Sequence, residues 1–289
     1  MQSNESAMIN LTSRLDRPRT LRSGIRSNLQ AAWHRQKGYR ADGADGCGNS
    51  AVVLLLGYAW NGRRFGDDVG IYFNKRSPEV RQPGDICCPG GGMELVKDRH
   101  LARILQLPGL PFGISRWVAA NGSPADAGLE RVALALATAL REAWEEMRCN
   151  PLRFEFIGPL PAECLSLFQR RIYPLVGWSR GQKEFKPNWE VSAVPFIPLR
   201  KLLDPLNYVC LHLQYPPGMQ NPDRPYREIF SGFRFDHDGQ EEILWGATFR
   251  IVRHFLLLNF GFRAPPKETL PVRWRRMGAG YLGRPAMMA

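Results

Sequence analysis

The stretch ALREAWEEMRC, residues 139–149, decides how this chain is read. It gathers Arg141, Glu142, Glu145 and Glu146 into six positions of a chain whose formal charge is +12. Leu129, Val132, Leu136, Leu140 and Met147 recur at steps of three and four, the spacing of one helical face, and Asp126 is a suitable N-cap. At about 100° per residue the three glutamates share a separate arc, so one face can pack while the acidic face lies along its flank. Carboxylates three and four residues apart repel one another, and the C-terminal end of a helix disfavours anions. Two readings follow. The cluster is a solvated acidic face, or it is a site for a hard divalent cation that offsets the repulsion among oxygen ligands.

The rest of the chain is basic. Its 289 residues suit one large domain with extensions or two small ones, and an apolar fraction of 44% can supply a sizeable core. The cations gather toward the ends: Arg14, Arg17, Arg19, Arg22, Arg26, Arg35, Lys37 and Arg40 early, and Arg263, Lys267, Arg273, Arg275, Arg276 and Arg284 late. Such a balance admits solvated surface, nucleic acid, an anionic membrane or a polyanionic small substrate. No zinc finger, RNP signature or basic heptad region is legible, which disfavours nucleic acid. No apolar run has the length of a membrane span, and the first 20 residues lack a secretory core. The six cysteines form no CxxC pair, so reduced thiols in a cytoplasmic protein are expected.

Hydrophobic periodicity places a helix over 19–36, then strands at AVVLLLGY (51–58) and VGIYFNKR (69–76) joined by a turn at 61–70. A loop rich in Pro and Gly follows, SPEVRQPGDICCPGGGME (77–94). Residues 99–127 read as an irregular insertion with one short helix near 98–106. After the long helix come strands at 153–158, 171–178, 191–198, 208–215 and 227–235. A helical turn at 199–203 and a final helix from near Leu244 complete the pattern. The expectation is an α/β fold with a mixed sheet between helices.

The spacing R-E-x-x-E-E at Arg141, Glu142, Glu145 and Glu146 resembles the second half of the Nudix box, R-E-U-x-E-E-x-G-U. PGGGME (89–94), with Gly90 and Gly91, resembles its first half. This chain departs from the box in three ways. Ala143 follows R-E, Arg148 stands where the box has Gly, and about 40 residues separate Glu94 from Arg141. Both Glu94 and Asp98 are therefore candidates for the first-half glutamate. The flanks resemble the coenzyme A diphosphatase subgroup of Nudix hydrolases. NKRSPEVRQPGDICCPGGGME carries the matching Arg76, Ser77, Arg81, Gly84, Pro89, Gly90 and Gly91, and PNWEVSAVPFIPLRKLL and EEILWGATFRIVRHFL fit the later segments.

The resemblance implies a Nudix-type α/β/α sandwich over 46–262, a basic extension over 1–45 and a basic tail over 263–289. It implies hydrolysis of a nucleoside diphosphate-linked substrate, here coenzyme A or acyl-CoA, with Mg²⁺ or Mn²⁺. Glu142, Glu145 and Glu146 become metal ligands and catalytic groups. Arg141 pairs with a carboxylate such as Glu94, and Glu190 serves as a further ligand or base. Arg76, Ser77, Arg81, Gly90 and Gly91 become the substrate-binding set. Trp245 and Thr248 read as fold elements, in the core and in the final helix. Another Nudix substrate (ADP-ribose, NADH or a dinucleoside polyphosphate) and a non-catalytic nucleotide-binding module stay open, as does homo-oligomer formation.

Overall fold

A computed structural model describes residues 15, 18–35, 48–110, 112–122, 126–165, 170–216, 227–278 and 281. The architecture is mixed α/β. Strand β1 (Gly48–Trp60) is central. It pairs antiparallel with β2 (Phe65–Tyr72) on one edge and parallel with β8 (Arg170–Ser179) on the other. Val53, Leu54, Leu55 and Leu56 are fully buried, which explains why this strand reads as an unbroken apolar run and not as an alternation. The same sheet holds β6 (Phe154–Pro159), β7 (Glu163–Leu165), β10 (Phe196–Pro198) and the glycine strand β5 (Gly90–Gly92), which lies against Ser50–Val52 of β1.

Two smaller sheets flank it. One joins β3 (Asn74–Arg76), β4 (Ile86–Cys87) and β9 (Val191–Ala193). The other has the order β13 (Gln240–Leu244), β12 (Arg227–His237), β11 (Tyr208–Gln214), β14 (Val272–Arg276). The strand expected over 69–76 breaks at Phe73, whose amide turns to the Pro195 carbonyl at 2.9 Å. The strand expected over 191–198 likewise splits, so that β9 and β10 enter different sheets. These paired breaks carry the chain from the central sheet into the sheet bearing Arg76.

The long helix forms as its periodicity predicts. It is α4 (Ala127–Met147), capped by the Asp126 carboxylate, which accepts from the Gly128 amide at 2.8 Å. It packs on β1, β5 and β8. The segment expected as irregular holds two helices, α2 (Leu95–Leu105) and α3 (Ile114–Asn121). Helix α2 packs along α4, while Trp117 of α3 meets Phe156 edge-on at 5.6 Å. Their amphipathic patterns are short and bounded by Pro and Gly, which is why the sequence hid the second.

A helix and a strand from outside the expected central span are docked on the body. Helix α1 (Pro18–Arg35) buries Leu21, Ile25, Leu29 and Trp33, and pairs Arg22 and Arg26 with Glu155 at 3.1 and 2.6 Å. Strand β14 lies beyond the expected boundary at 262 yet runs parallel to β11, so the 46–262 span cuts through a sheet. After the short helix α5 (Leu199–Leu202), the final helix is α6 (Gly246–Phe260), preceded by the unforeseen strand β13, and it contains Thr248 as expected. Trp245 caps it half-buried, donating Nε1–H to Asp85 at 3.3 Å and packing on Phe230, so it is more than core filling. Among the described residues no helix is long and apolar enough to cross a membrane, and the described cysteines are free.

Candidate active site

The glutamates of α4 face the glycine strand. Gly90 adopts φ +144, and a Cβ there would stand 2.2 Å from the Ala51 carbonyl, so only glycine lets β5 press against β1. A Cβ on Gly91 would fall 2.5 Å from the Glu142 carboxyl. The glycines thus open the notch into which Glu142 and Glu146 project.

Glu146 is the buried member. Its Oε2 accepts from the Gly90 amide and from Asn74 Nδ2, each at 3.0 Å. Burial pushes its pKa up to about 8, with the Gly90 hydrogen bond opposing and the charges of Glu142 and Glu190 adding to the rise. Burial also raises Glu142, with Arg141 opposing and Glu145 and Glu190 reinforcing. Glu190 is thus close enough to repel both. Its position is fixed by backbone: its amide bonds Asn188 Oδ1 at 2.8 Å, and its carbonyl accepts from Ser77 at 2.8 Å. Asn188 in turn donates its amide to the Glu146 carbonyl at 2.8 Å.

Arg141 ties the helix to the loop through both carboxylates that the sequence offered, and Asp98 holds it more closely than Glu94. Its Nε donates to Asp98 Oδ1 at 2.8 Å and its Nη2 to Asp98 Oδ2 at 3.3 Å. Glu94 is half-exposed and lies farther, 3.4 Å from Nη1. Asp98 is 0% exposed and also accepts from Thr138 Oγ1 at 2.8 Å and the Glu94 amide at 2.7 Å. Helix α2 turns Asp98 inward and leaves Glu94 at its cap, in water, so the buried carboxylate wins the guanidinium. Arg141 further holds the Gly92 carbonyl at 3.1 Å, Glu142 at 3.0 Å and Glu145 at 3.2 Å. Burial works against its charge, yet Asp98 and Glu142 together hold the guanidinium above its ordinary pKa. The roughly 40 residues between the two half-motifs are thereby bridged, because α2 folds back on α4.

Arg76 and Ser77 reach the same region on β3 and the loop after it. Arg76 opposes in small part the rise in the Glu146 pKa and donates Nε to the Arg81 carbonyl at 2.7 Å. Ser77 is buried with its Oγ on the Glu79 amide at 3.3 Å, and Arg81 is exposed. The loop is held by Asp85, which pairs with Arg275 at 2.9 Å and accepts from Trp245 and the Tyr281 hydroxyl. Sequence reading missed Asn74, Thr138 and Asp85. Asn74 directly precedes the motif residues of β3, and that polar residue at the end of an apolar strand was its signal.

The donor set suits a hard divalent cation, since it offers carboxylate oxygens that repel one another in a half-buried notch. In this arrangement Glu142 and Glu145 are turned onto Arg141. Among the described residues no group of three Asp, Glu, His or Cys side chains stands ready to hold a metal.

No family model matches the chain. It is 30% identical over 124 residues to an uncharacterized Nudix hydrolase, NudL, of Pectobacterium atrosepticum, over 42% of this chain and 57% of that protein. This chain therefore spans little more than half the length of the curated relative it matches. Among solved structures, a Nudix hydrolase from Alicyclobacillus acidocaldarius overlaps 55% of this chain and 82% of its own at 16% identity and a TM-score of 0.35. RenU, a Nudix hydrolase from M. smegmatis, overlaps 52% and 70% at 12% identity and a TM-score of 0.33. At these scores the overlaps add nothing to the mixed α/β architecture seen directly. The sequence match sets the likeness at the level of the Nudix hydrolase superfamily.

Proposed function

We propose that this chain is a Nudix-type hydrolase that cuts the diphosphate of coenzyme A or acyl-CoA, giving 4′-phosphopantetheine or its acyl form and adenosine 3′,5′-bisphosphate. One observation carries the reading: Glu142 and Glu146 project into a glycine-walled notch, while Arg141 is locked to buried Asp98. Mg²⁺ or Mn²⁺ held by Glu142, Glu145 and Glu146 would neutralise diphosphate charge and activate a water. The chain's own groups supply position. Asn74 and the Gly90 amide fix Glu146, Asp98 fixes Arg141, and Glu190 stands as a base or further ligand. Arg76 and Arg81, with Ser77 between them, suit phosphate oxygens, because a guanidinium meets them with a planar fork. The flanking motifs that match the coenzyme A subgroup support the choice of substrate.

A panel of coenzyme A, acyl-CoA, ADP-ribose, NADH, dinucleoside polyphosphates and nucleoside triphosphates, assayed with Mg²⁺ or Mn²⁺, tests it. Coenzyme A or an acyl-CoA is expected to turn over fastest. A faster rate on any other member would sink the substrate assignment, and binding without turnover would favour a nucleotide-binding module.

Glu146 adds a pH signature. Its folded pKa of about 8 lies above the ordinary carboxylate value of 4.5, so the folded state binds this proton more tightly than the unfolded state. Its contribution to stability is intact below 4.5 and is lost as pH rises toward 8. Melting temperature in metal-free buffer is expected to fall across that window, and Mg²⁺ is expected to raise it more near pH 8 than near pH 5.5. A Mg²⁺ response that does not grow with pH would count against Glu146 as a ligand.

A further inference from the structure

A second recess opens near the C-terminal end of α4. It is an open recess of about 580 Å³ lined by Trp144, Arg148, Arg153, Lys183 and Lys186, with Glu184 its single carboxylate among the described residues. Its floor is built. Buried Gln182 accepts from the Asn150 amide at 2.8 Å and donates to the carbonyls of Arg148 and Glu184, both at 2.9 Å. The Lys186 amide is bound to the Met147 carbonyl at 2.9 Å, which fixes a second wall to the helix end.

Arg148 is the unusual residue. It closes α4 at φ 55, a left-handed conformation that favours glycine. A bulky side chain at such a backbone position points to a use for that side chain. The guanidinium lies 5.3 Å from the centre of the Trp144 ring, and that indole is 44% exposed. Lys183 sits 4.7 Å over Trp60. An exposed indole beside four cations suits a ligand that is both aromatic and anionic, and arginine meets phosphate with two parallel bonds.

We propose that this recess binds a phosphorylated nucleoside, with phosphate against Arg148, Lys183 and Lys186 and the base against Trp144. The ligand's source is either a free nucleotide or the nucleotide end of the substrate, and the second source rests on the function proposed above.

Adenosine 3′,5′-bisphosphate titrated into the full chain by calorimetry in chelator-treated buffer tests the site without turnover, so its outcome is separate from that of the substrate panel. Arg148→Gly is expected to weaken binding at least about tenfold without lowering the melting temperature, since glycine suits that backbone. Lys183→Ala with Lys186→Ala is expected to weaken it similarly, and inorganic phosphate is expected to bind less tightly than the nucleotide. Unchanged affinity in Arg148→Gly would overturn the proposal. So would a nucleotide that binds no better than inorganic phosphate, or a lower melting temperature in Arg148→Gly. A raised KM for coenzyme A at constant kcat in Arg148→Gly would assign the recess to the substrate's nucleotide end. Weaker bisphosphate binding with KM unmoved would assign it to a free nucleotide.

Discussion

Replacing Glu146 with glutamine is expected to cut turnover by at least ~100-fold, the scale of losing one electrostatic catalytic group. The fold is expected to survive. Both donors to Glu146 converge on one oxygen, Oε2, and a glutamine carbonyl can accept both. Near pH 8 the variant is expected to melt no lower than the parent, because a carboxylate that burial disfavours has been removed. Its melting temperature should also lose the pH dependence described above. Steady-state kinetics and thermal denaturation on the same preparations check both halves. Near-parental turnover would remove Glu146 from the catalytic set. A collapsed melting temperature would show that the carboxylate holds the fold.

Arg141→Ala is expected to have the largest effect on stability, a loss of about 3–5 kcal/mol, because it strands a buried carboxylate without its cation. Asp98 is 0% exposed and the Arg141 side chain only 11%, so water cannot replace the lost partner cheaply. A loss of that size corresponds to a fall in melting temperature of roughly 10 °C for a domain of this size. Asp98→Ala in the same chain is expected to recover part of it, since the fully buried carboxylate is then no longer left without its cation. Denaturant melts of the two single variants and the double variant measure the coupling directly. Additive losses would mean that the two residues do not act as a unit, and the bridge between the two half-motifs would be lost with them.

The long helix, its cap and the central strands were legible because their periodicities are long and clean. Arg141, Glu142, Glu145 and Glu146 were legible as a group because helical spacing fixes their relative directions. Which carboxylate faces Arg141 was not. Glu94 and Asp98 differ by one helical turn, and only the packing of α2 on α4 turns Asp98 inward and leaves Glu94 in water. Asn74 was hidden for a related reason, since its value lies in a partner 72 positions away. The breaks at Phe73 and Pro195 depend on one another across the sheet, so neither segment announces its break alone. The late strand β14 was missed because alternating Arg and Trp in VRWRR reads as a basic tail until β11 is seen beside it.

The clasp on Asp85 has a kinetic consequence. The notch around Glu146 is closed by contacts 56 and 72 positions apart, whereas Asp85 meets Trp245 and Tyr281 at separations of 160 and 196. Loop closure costs more entropy as the separation grows, and contacts of high sequence separation form slowly. During folding, the carboxylate notch is therefore able to form ahead of the loop that presents Arg76 and Ser77. A chain caught between those two events would hold its acidic half-site while the loop opposite was still without its anchor.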